Sequence, residues 1–165
     1  MASNESAAAN SEEGVNDAAS GTPTVIFVCE TCGYDAENPD AVRPGKRLGE
    51  SLTRALSRET QAATDNVEMQ RAAALADLEV HPFRCLMACK RGCTAQVRGL
   101  GKIGYTVGDL KPDSASVQTL IDYALLYRAS HTGEVPFKQW PDGVRGKFVA
   151  RFPVLPTLNQ ENQEP

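Results

Sequence analysis

The chain has 165 residues, of which 41% are apolar, and a formal net charge of −4 from 17 basic and 21 acidic residues. This length allows one hydrophobic core, because single domains usually contain about 100–150 residues. The longest apolar runs, such as residues 25–29, are far shorter than the roughly 20 residues that span a bilayer, so we expect no membrane-spanning helix. The first residues lack the basic and apolar regions of a secretory signal, so we expect a cytoplasmic protein.

The charge is distributed unevenly along the chain. Residues 1–23 contain four acids and residues 157–165 contain two, and neither segment has a Lys or Arg. The remaining 15 acids and all 17 bases lie in residues 24–156, which therefore carry a charge of +2. Low apolar content predicts a disordered acidic tail over 1–23 and a flexible tail over 157–165. The weak charge of the middle part does not favour nucleic-acid binding.

The first half of the middle part predicts two strands separated by helices. Residues 24–28 are β-branched or aromatic and indicate a buried strand, and residues 29–45 have the composition of a loop. From Lys46 a stripe with the helical period of 3.6 begins, formed by Leu48, Leu52, Ala55 and Leu56. A second helix is predicted from Asp65, where a capping-box pattern stands, and a strand over 78–83.

The second half predicts a β-hairpin and a long helix. Two short apolar runs, 95–98 and 103–107, are joined by a Gly-rich turn, and a helix capped by Asp113 or Ser114 follows. Residues 134–156 contain four prolines and are predicted to form an arm on the surface of a domain over 24–133. The element order β-α-β-β-β-α predicts an α/β fold with a mixed sheet flanked by helices.

The five cysteines fall in two groups, each directly after a predicted strand. Cys29 and Cys32 follow the first strand, and the second strand is followed by the C-x3-C-x3-C run Cys85, Cys89 and Cys93. A helical crossover makes the two strands parallel neighbours, so both groups are expected at one edge of the sheet. Four converging thiolates suit an iron–sulfur cluster or a closed zinc site, and a reducing cytoplasm disfavours a disulfide framework.

Two points about the cysteines stay open at this stage. A C-x-x-C pair is also typical of a dithiol oxidoreductase, although the acids and the proline after Cys32 do not favour a helix start there. Because a cluster needs only four ligands, one thiol is surplus. Cys93 is an alternative ligand, a resolving thiol or a buried side chain.

Basic residues surround the second cysteine group in the sequence. Between residues 80 and 108 there is no Asp or Glu, and the bases are Arg84, Lys90, Arg91, Arg98 and Lys102. Such a set would stabilise an anionic cluster and could dock an acidic protein redox partner, the alternative being a solvated basic face. We expect no nucleic-acid or membrane partner, and a homodimer is left open.

Two resemblances sharpen these expectations. The run Cys85-Leu-Met-Ala-Cys89 resembles the C-L-x-x-C segment of the thioredoxin-like 2Fe–2S ferredoxins, whose first cysteine pair is spaced more widely than Cys29 and Cys32. The resemblance implies a thioredoxin-like fold and a 2Fe–2S cluster held by Cys29, Cys32, Cys85 and Cys89. Because the sequence shows no catalytic acid–base pair, we expect an electron carrier and not an enzyme.

A second resemblance covers nearly all of residues 24–156. The segments 85–95, 101–110 and 144–153 are similar to a bacterial family of predicted metal-binding proteins, domain of unknown function 1636. The association of that family with cobalamin-biosynthesis genes implies a role in that pathway. Zinc binding, in a structural or metal-handling protein, is the alternative, because spacing alone does not separate zinc from an iron–sulfur cluster.

Overall fold

The structure is a computed structural model that describes residues 23–155 and contains a five-stranded sheet with three helices. The strands are β1 Thr24–Cys29, β2 Leu78–Phe83, β3 Ala95–Arg98, β4 Gly104–Val107 and β5 Phe148–Phe152, and the helices are α1 Pro44–Gln61, α2 Asn66–Ala76 and α3 Ser114–Ala129. The predicted tails lie outside the described residues, apart from Pro23. Within the described part, no helix is both long and apolar enough to cross a membrane.

The strands follow the order β2-β1-β3-β4-β5 across the sheet. β1 and β2 are parallel and are joined by the α1–α2 crossover, while β3, β4 and β5 each pair antiparallel with the preceding strand in this order. A parallel strand pair linked through helices, followed by an antiparallel hairpin and a last helix, is the arrangement of a thioredoxin-like fold. The predicted fold class is confirmed.

All three helices lie on one face of the sheet. Ile26 and Val28 of β1 are completely buried beneath α1 and α3, whereas Val25 and Phe27, which point to the opposite face, are only half-buried. α2 packs mainly on α1 and not across the sheet. The described residues therefore form two layers, and the second face of the sheet has no helix over it.

Helix starts follow the sequence signals. The stripe predicted for α1 is buried, and the helix begins two residues earlier than predicted, with Pro44 in its first turn. Asp65 caps α2 by accepting the Glu68 N–H at 2.8 Å, and Asp113 caps α3 by accepting the Ser116 N–H at 2.8 Å. These short side chains satisfy backbone donors that have no partner inside the helix.

The prediction that residues 134–156 form no further core element is wrong. This segment supplies β5, which pairs with β4 at the edge of the sheet, and its Val135 and Val144 are buried. Phe148 packs on Tyr105, with ring centres 5.5 Å apart. The nearby prolines argued against a strand here, but β5 has only five residues and lies at the sheet edge, where prolines are tolerated that an inner strand would exclude.

Candidate metal centre

The two cysteine loops meet at the carboxyl ends of β1 and β2. Cys29 is the last residue of β1 and pairs in register with Phe83, the last residue of β2. The Glu30 N–H donates to the Phe83 carbonyl at 2.9 Å, and the Thr31 hydroxyl donates to the Arg84 carbonyl at 2.7 Å. The C-x-x-C loop is thus fastened to the strand end that leads directly into Cys85.

Cys29 and Cys32 form a buried pair of thiols. Both side chains are almost fully shielded from solvent, the Cys29 Sγ lies 3.7 Å from the Thr31 Oγ1, and the Cys32 Sγ lies 3.4 Å from the Thr94 Oγ1. Burial opposes ionisation of Cys29, but hydrogen bonds from the Leu86 N–H, Cys32 and Thr31 outweigh it and lower its pKa to about 7. Burial is the main reason that the pKa of Cys32 is raised.

The first turn of α1 packs directly against this pair, although the helix starts twelve residues after Cys32. The Gly45 N–H donates to the Cys32 carbonyl at 3.3 Å. A Cβ on Gly45 would overlap the Cys29 carbonyl oxygen and would lie 3.1 Å from the Cys32 Cβ. Only glycine therefore lets the helix approach the C-x-x-C loop this closely.

Cys93 is buried on the inner side of the same cluster. Its N–H and carbonyl both bond to Leu110, at 3.1 Å each, and its side chain is 3% exposed. Burial, together with the nearby Cys32 and Cys29 thiols, raises the pKa of Cys93 to about 11. A thiol in this environment packs as a small apolar side chain and does not ionise at neutral pH.

Cys85 and Cys89 are closer to solvent. Cys85 is half-buried and accepts the Met87 N–H at 3.4 Å, whereas Cys89 is exposed at the start of a single 3-10 turn, Cys89–Arg91. Across residues 23–155, no three His, Cys, Asp or Glu side chains are arranged to hold a single metal ion. The assignment of four ligands stays a prediction.

The chemistry of the donor set fits either an iron–sulfur cluster or a closed zinc site. A closed zinc site needs four ligands around one point, whereas each iron of a 2Fe–2S cluster is bound by two thiolates. The chain offers one thiol pair on each loop, and the Met87 N–H donates to the Cys85 sulfur at 3.4 Å. Backbone donors of this kind stabilise sulfur-bound negative charge.

The predicted basic set is divided by the fold. Arg84, Lys90 and Arg91 lie in the cysteine loop, where Arg91 bonds to Asp109 at 2.5 Å and to the Gly146 carbonyl at 3.1 Å. Arg98 and Lys102 are not beside the thiols: they lie towards the opposite end of the sheet, where Arg98 pairs in register with Val25, and Lys102 is buried with its ammonium donating to the Arg128 carbonyl.

Two other cations, which the sequence pattern did not indicate, lie near the C-x-x-C loop and Cys93. Arg43 donates to the Thr31 carbonyl at 3.1 Å and lies 4.6 Å over the Tyr34 ring. Arg47, one turn further, is near enough to Cys93 to lower its pKa against the effect of burial. Arg43 directly precedes α1 and Arg47 lies in its first turn, so only the start of that helix at a Pro-Gly pair could have indicated them.

A family profile described as "Protein of unknown function (DUF1636)" matches residues 26–154. The chain belongs to this family. No curated protein matches the sequence. Among solved structures, this DUF1636 protein is similar to a thioredoxin-like 2Fe–2S ferredoxin from Aquifex aeolicus, with 15% identity and a TM-score of 0.46 over 78% of this chain and 92% of the ferredoxin.

Proposed function

We propose that this protein binds a 2Fe–2S cluster through Cys29, Cys32, Cys85 and Cys89 and acts as an electron carrier. The observation that carries the proposal is the contact between the two cysteine loops at the carboxyl ends of β1 and β2, where the Thr31 hydroxyl donates to the Arg84 carbonyl at 2.7 Å. When bound, such a cluster supplies one-electron transfer.

The chain's own residues would prepare the site in three ways. The buried Cys29–Cys32 pair excludes water from one side, and backbone N–H groups stabilise the thiolates. Arg43, the residue before α1, and Arg47, in its first turn, add positive charge, which favours an anionic centre and raises its reduction potential. The exposed Cys89 leaves the other side open for electron exchange.

The test is the visible spectrum and metal content of protein purified without air. We expect a brown protein with thiolate-to-iron absorption bands and two irons per chain, which Cys32→Ser or Cys85→Ser abolishes. Cys93→Ala, at the surplus thiol, should retain the cluster. If Cys93→Ala is as damaging as Cys89→Ser, the ligand set is wrong, and a colourless protein with one zinc per chain would favour the zinc alternative and refute the carrier.

A dithiol oxidoreductase is the second candidate, and the observation that favours it is the buried C-x-x-C pair, in which the pKa of Cys29 is lowered to about 7. In this function the Cys29 thiolate attacks a substrate disulfide, and the Cys32 thiol then displaces the reduced substrate by forming an intramolecular disulfide. Insulin reduction by metal-free protein, unchanged in Cys85→Ser and lost in Cys32→Ser, would support this function over the carrier.

We further propose that an acidic redox partner docks beside Cys85 and Cys89. Arg84 and Lys90 are exposed in that loop, so opposite charge would speed encounter at low salt. Lys90→Glu should slow electron exchange with an acidic probe protein, flavodoxin, and should leave the rate of reduction by dithionite unchanged. If the variant exchanges electrons with flavodoxin as fast as the original protein does, the docking site is refuted. A redox step of cobalamin biosynthesis is the pathway proposed on the family resemblance.

A further inference from the structure

The sheet face opposite the helices carries an apolar groove of about 740 Å³. We call this the open face; its outward-pointing residues on β1, β2 and β3 are Val25, Phe27, Glu79, His81, Gln96 and Arg98. At its rim Phe83 is 47% exposed and Leu100 is 80% exposed. Large apolar side chains gathered on one exposed face indicate an interaction surface.

Two rows of side chains cross this face at right angles to the strands. In the first row Val25 stands between Glu79 on β2 and Arg98 on β3. In the second row Phe27 stands between His81 and Gln96. Each row has an apolar centre on β1, with groups of complementary chemistry about 4.8 Å to either side.

The charges of the first row are not neutralised by groups across the strand. The only carboxylate contact of Glu79 in the described chain is the 2.8 Å bond to the neighbouring His81. Arg98 has no acidic partner within residues 23–155, and its guanidinium lies 5.4 Å from the centre of the Phe152 ring. An occupant of the groove would have to offer an acid at one end of this row and a base at the other.

A second copy of the chain meets this requirement. A two-fold axis parallel to β1, passing between two facing sheets, places β2 of one copy over β3 of the other and keeps every residue at its own level along the strand. Glu79 then faces Arg98 of the second copy, His81 faces its Gln96, and the β1 side chains meet at the axis. Two-fold interfaces are self-complementary in this sense, since each contact occurs twice.

We propose that the open face is a homodimer interface in which two sheets pack face to face along β1. The Val25 and Phe27 side chains supply the apolar centre, and Leu100 closes its edge. Packed sheets lie about 10 Å apart with nearly aligned strands, so the two cysteine sites stand at the same end of the dimer. The interface uses no cysteine and is independent of metal binding.

The experiment is sedimentation equilibrium of the full chain over a range of concentrations. The expected mass is twice the 17.7 kDa of one chain. Glu79→Arg or Arg98→Glu alone puts like charges opposite each other at both symmetric positions, so each should weaken association at least about tenfold. The double variant exchanges the charges and should restore association to within about threefold of the original.

Two further variants separate the interface from general effects. Glu50→Arg reverses an exposed charge on α1, in the helical layer, and should leave the mass unchanged. Leu100→Ser changes an exposed side chain that the fold does not need, and it should weaken association. Any of three results would overturn the proposal, whatever else covers the face. The original protein could be monomeric, the single variants could associate as tightly as the original, or the double variant could associate as weakly as the single variants.

Discussion

The close approach of α1 to the C-x-x-C loop can be tested with two glycines on the same helix. In Gly45→Ala the new Cβ overlaps the Cys29 carbonyl oxygen, so the helix or the loop must move. In Gly49→Ala, four residues later, the new Cβ lies 3.6 Å from the Val28 Cβ, which is ordinary contact. The same chemical change therefore overlaps a backbone atom at one site and makes an ordinary van der Waals contact at the other.

The two variants should change the free energy of unfolding in opposite directions. Forcing a methyl group into filled space costs about 1–3 kcal/mol, from which the better helix propensity of alanine returns up to about 1 kcal/mol. Gly45→Ala should therefore lose about 1–2 kcal/mol, while Gly49→Ala gains about 0.5–1 kcal/mol. With a urea m-value of about 1–3 kcal/mol per molar, the two midpoints should differ by roughly 1 M.

The measurement is urea unfolding of metal-free protein followed by circular dichroism, with metal retention as the second reading. Gly45→Ala should also lose bound metal, because the displaced Cys29 carbonyl and Cys32 Cβ belong to the thiol pair. Gly49→Ala should retain metal at the original level. Equal midpoints for the two variants would show that α1 does not pack against the loop as described.

Three further measurements test a buried tyrosine, two of the cysteines and one salt bridge. The Tyr123 hydroxyl is buried with no hydrogen-bond partner among the described residues, so Tyr123→Phe should raise the free energy of unfolding by about 1 kcal/mol; a loss would reveal a partner. In metal-free protein, the ultraviolet thiolate absorbance that Cys29→Ser removes should rise through about pH 7, and the absorbance that Cys93→Ser removes should rise only near pH 11; a rise at the same pH for both would contradict their different surroundings. Because folding lowers the pKa of Cys29 from 9.0, the ionised Cys29 thiolate stabilises the folded protein. This contribution is fully present above pH 9.0 and is lost as the pH falls through about 7. Arg91→Glu should destabilise the fold by about 0.5–1 kcal/mol, whereas Lys90→Glu should not, as thermal unfolding of both will show.

Most of the fold could be predicted because local signals and long-range packing agree in it. The α1 stripe, the Asp65 and Asp113 caps and the bounds of β2 and β3 match the structure, since each depends on neighbours within a few residues. β5 could not be predicted in this way. Its place is set by pairing with β4, about forty residues earlier, and its sequence FVARF does not alternate strictly between apolar and polar residues.

For the candidate site, the chain order of the cysteines predicted that the two loops would meet, because parallel neighbouring strands end at the same edge. The same reasoning could not place Cys93. Only its backbone bonds to Leu110 show that it turns inward while Cys89 stays at the surface. Spacing in the sequence gives the distance along a loop, and the direction of a side chain depends on what the loop packs against.

The positions of the cations near the thiols also depend on packing that the sequence spacing does not show. Counting charges between residues 80 and 108 suggested five cations around the site, but the β3–β4 hairpin carries Arg98 and Lys102 away along the sheet. In their place Arg43, just before α1, bonds to the Thr31 carbonyl, and Arg47, in the first turn of α1, lies near Cys93. The close approach of this turn to the cysteine loop depends on Gly45, because a Cβ there would overlap the Cys29 carbonyl oxygen. Gly45→Ala should weaken metal binding even though it removes neither a ligand nor a charge.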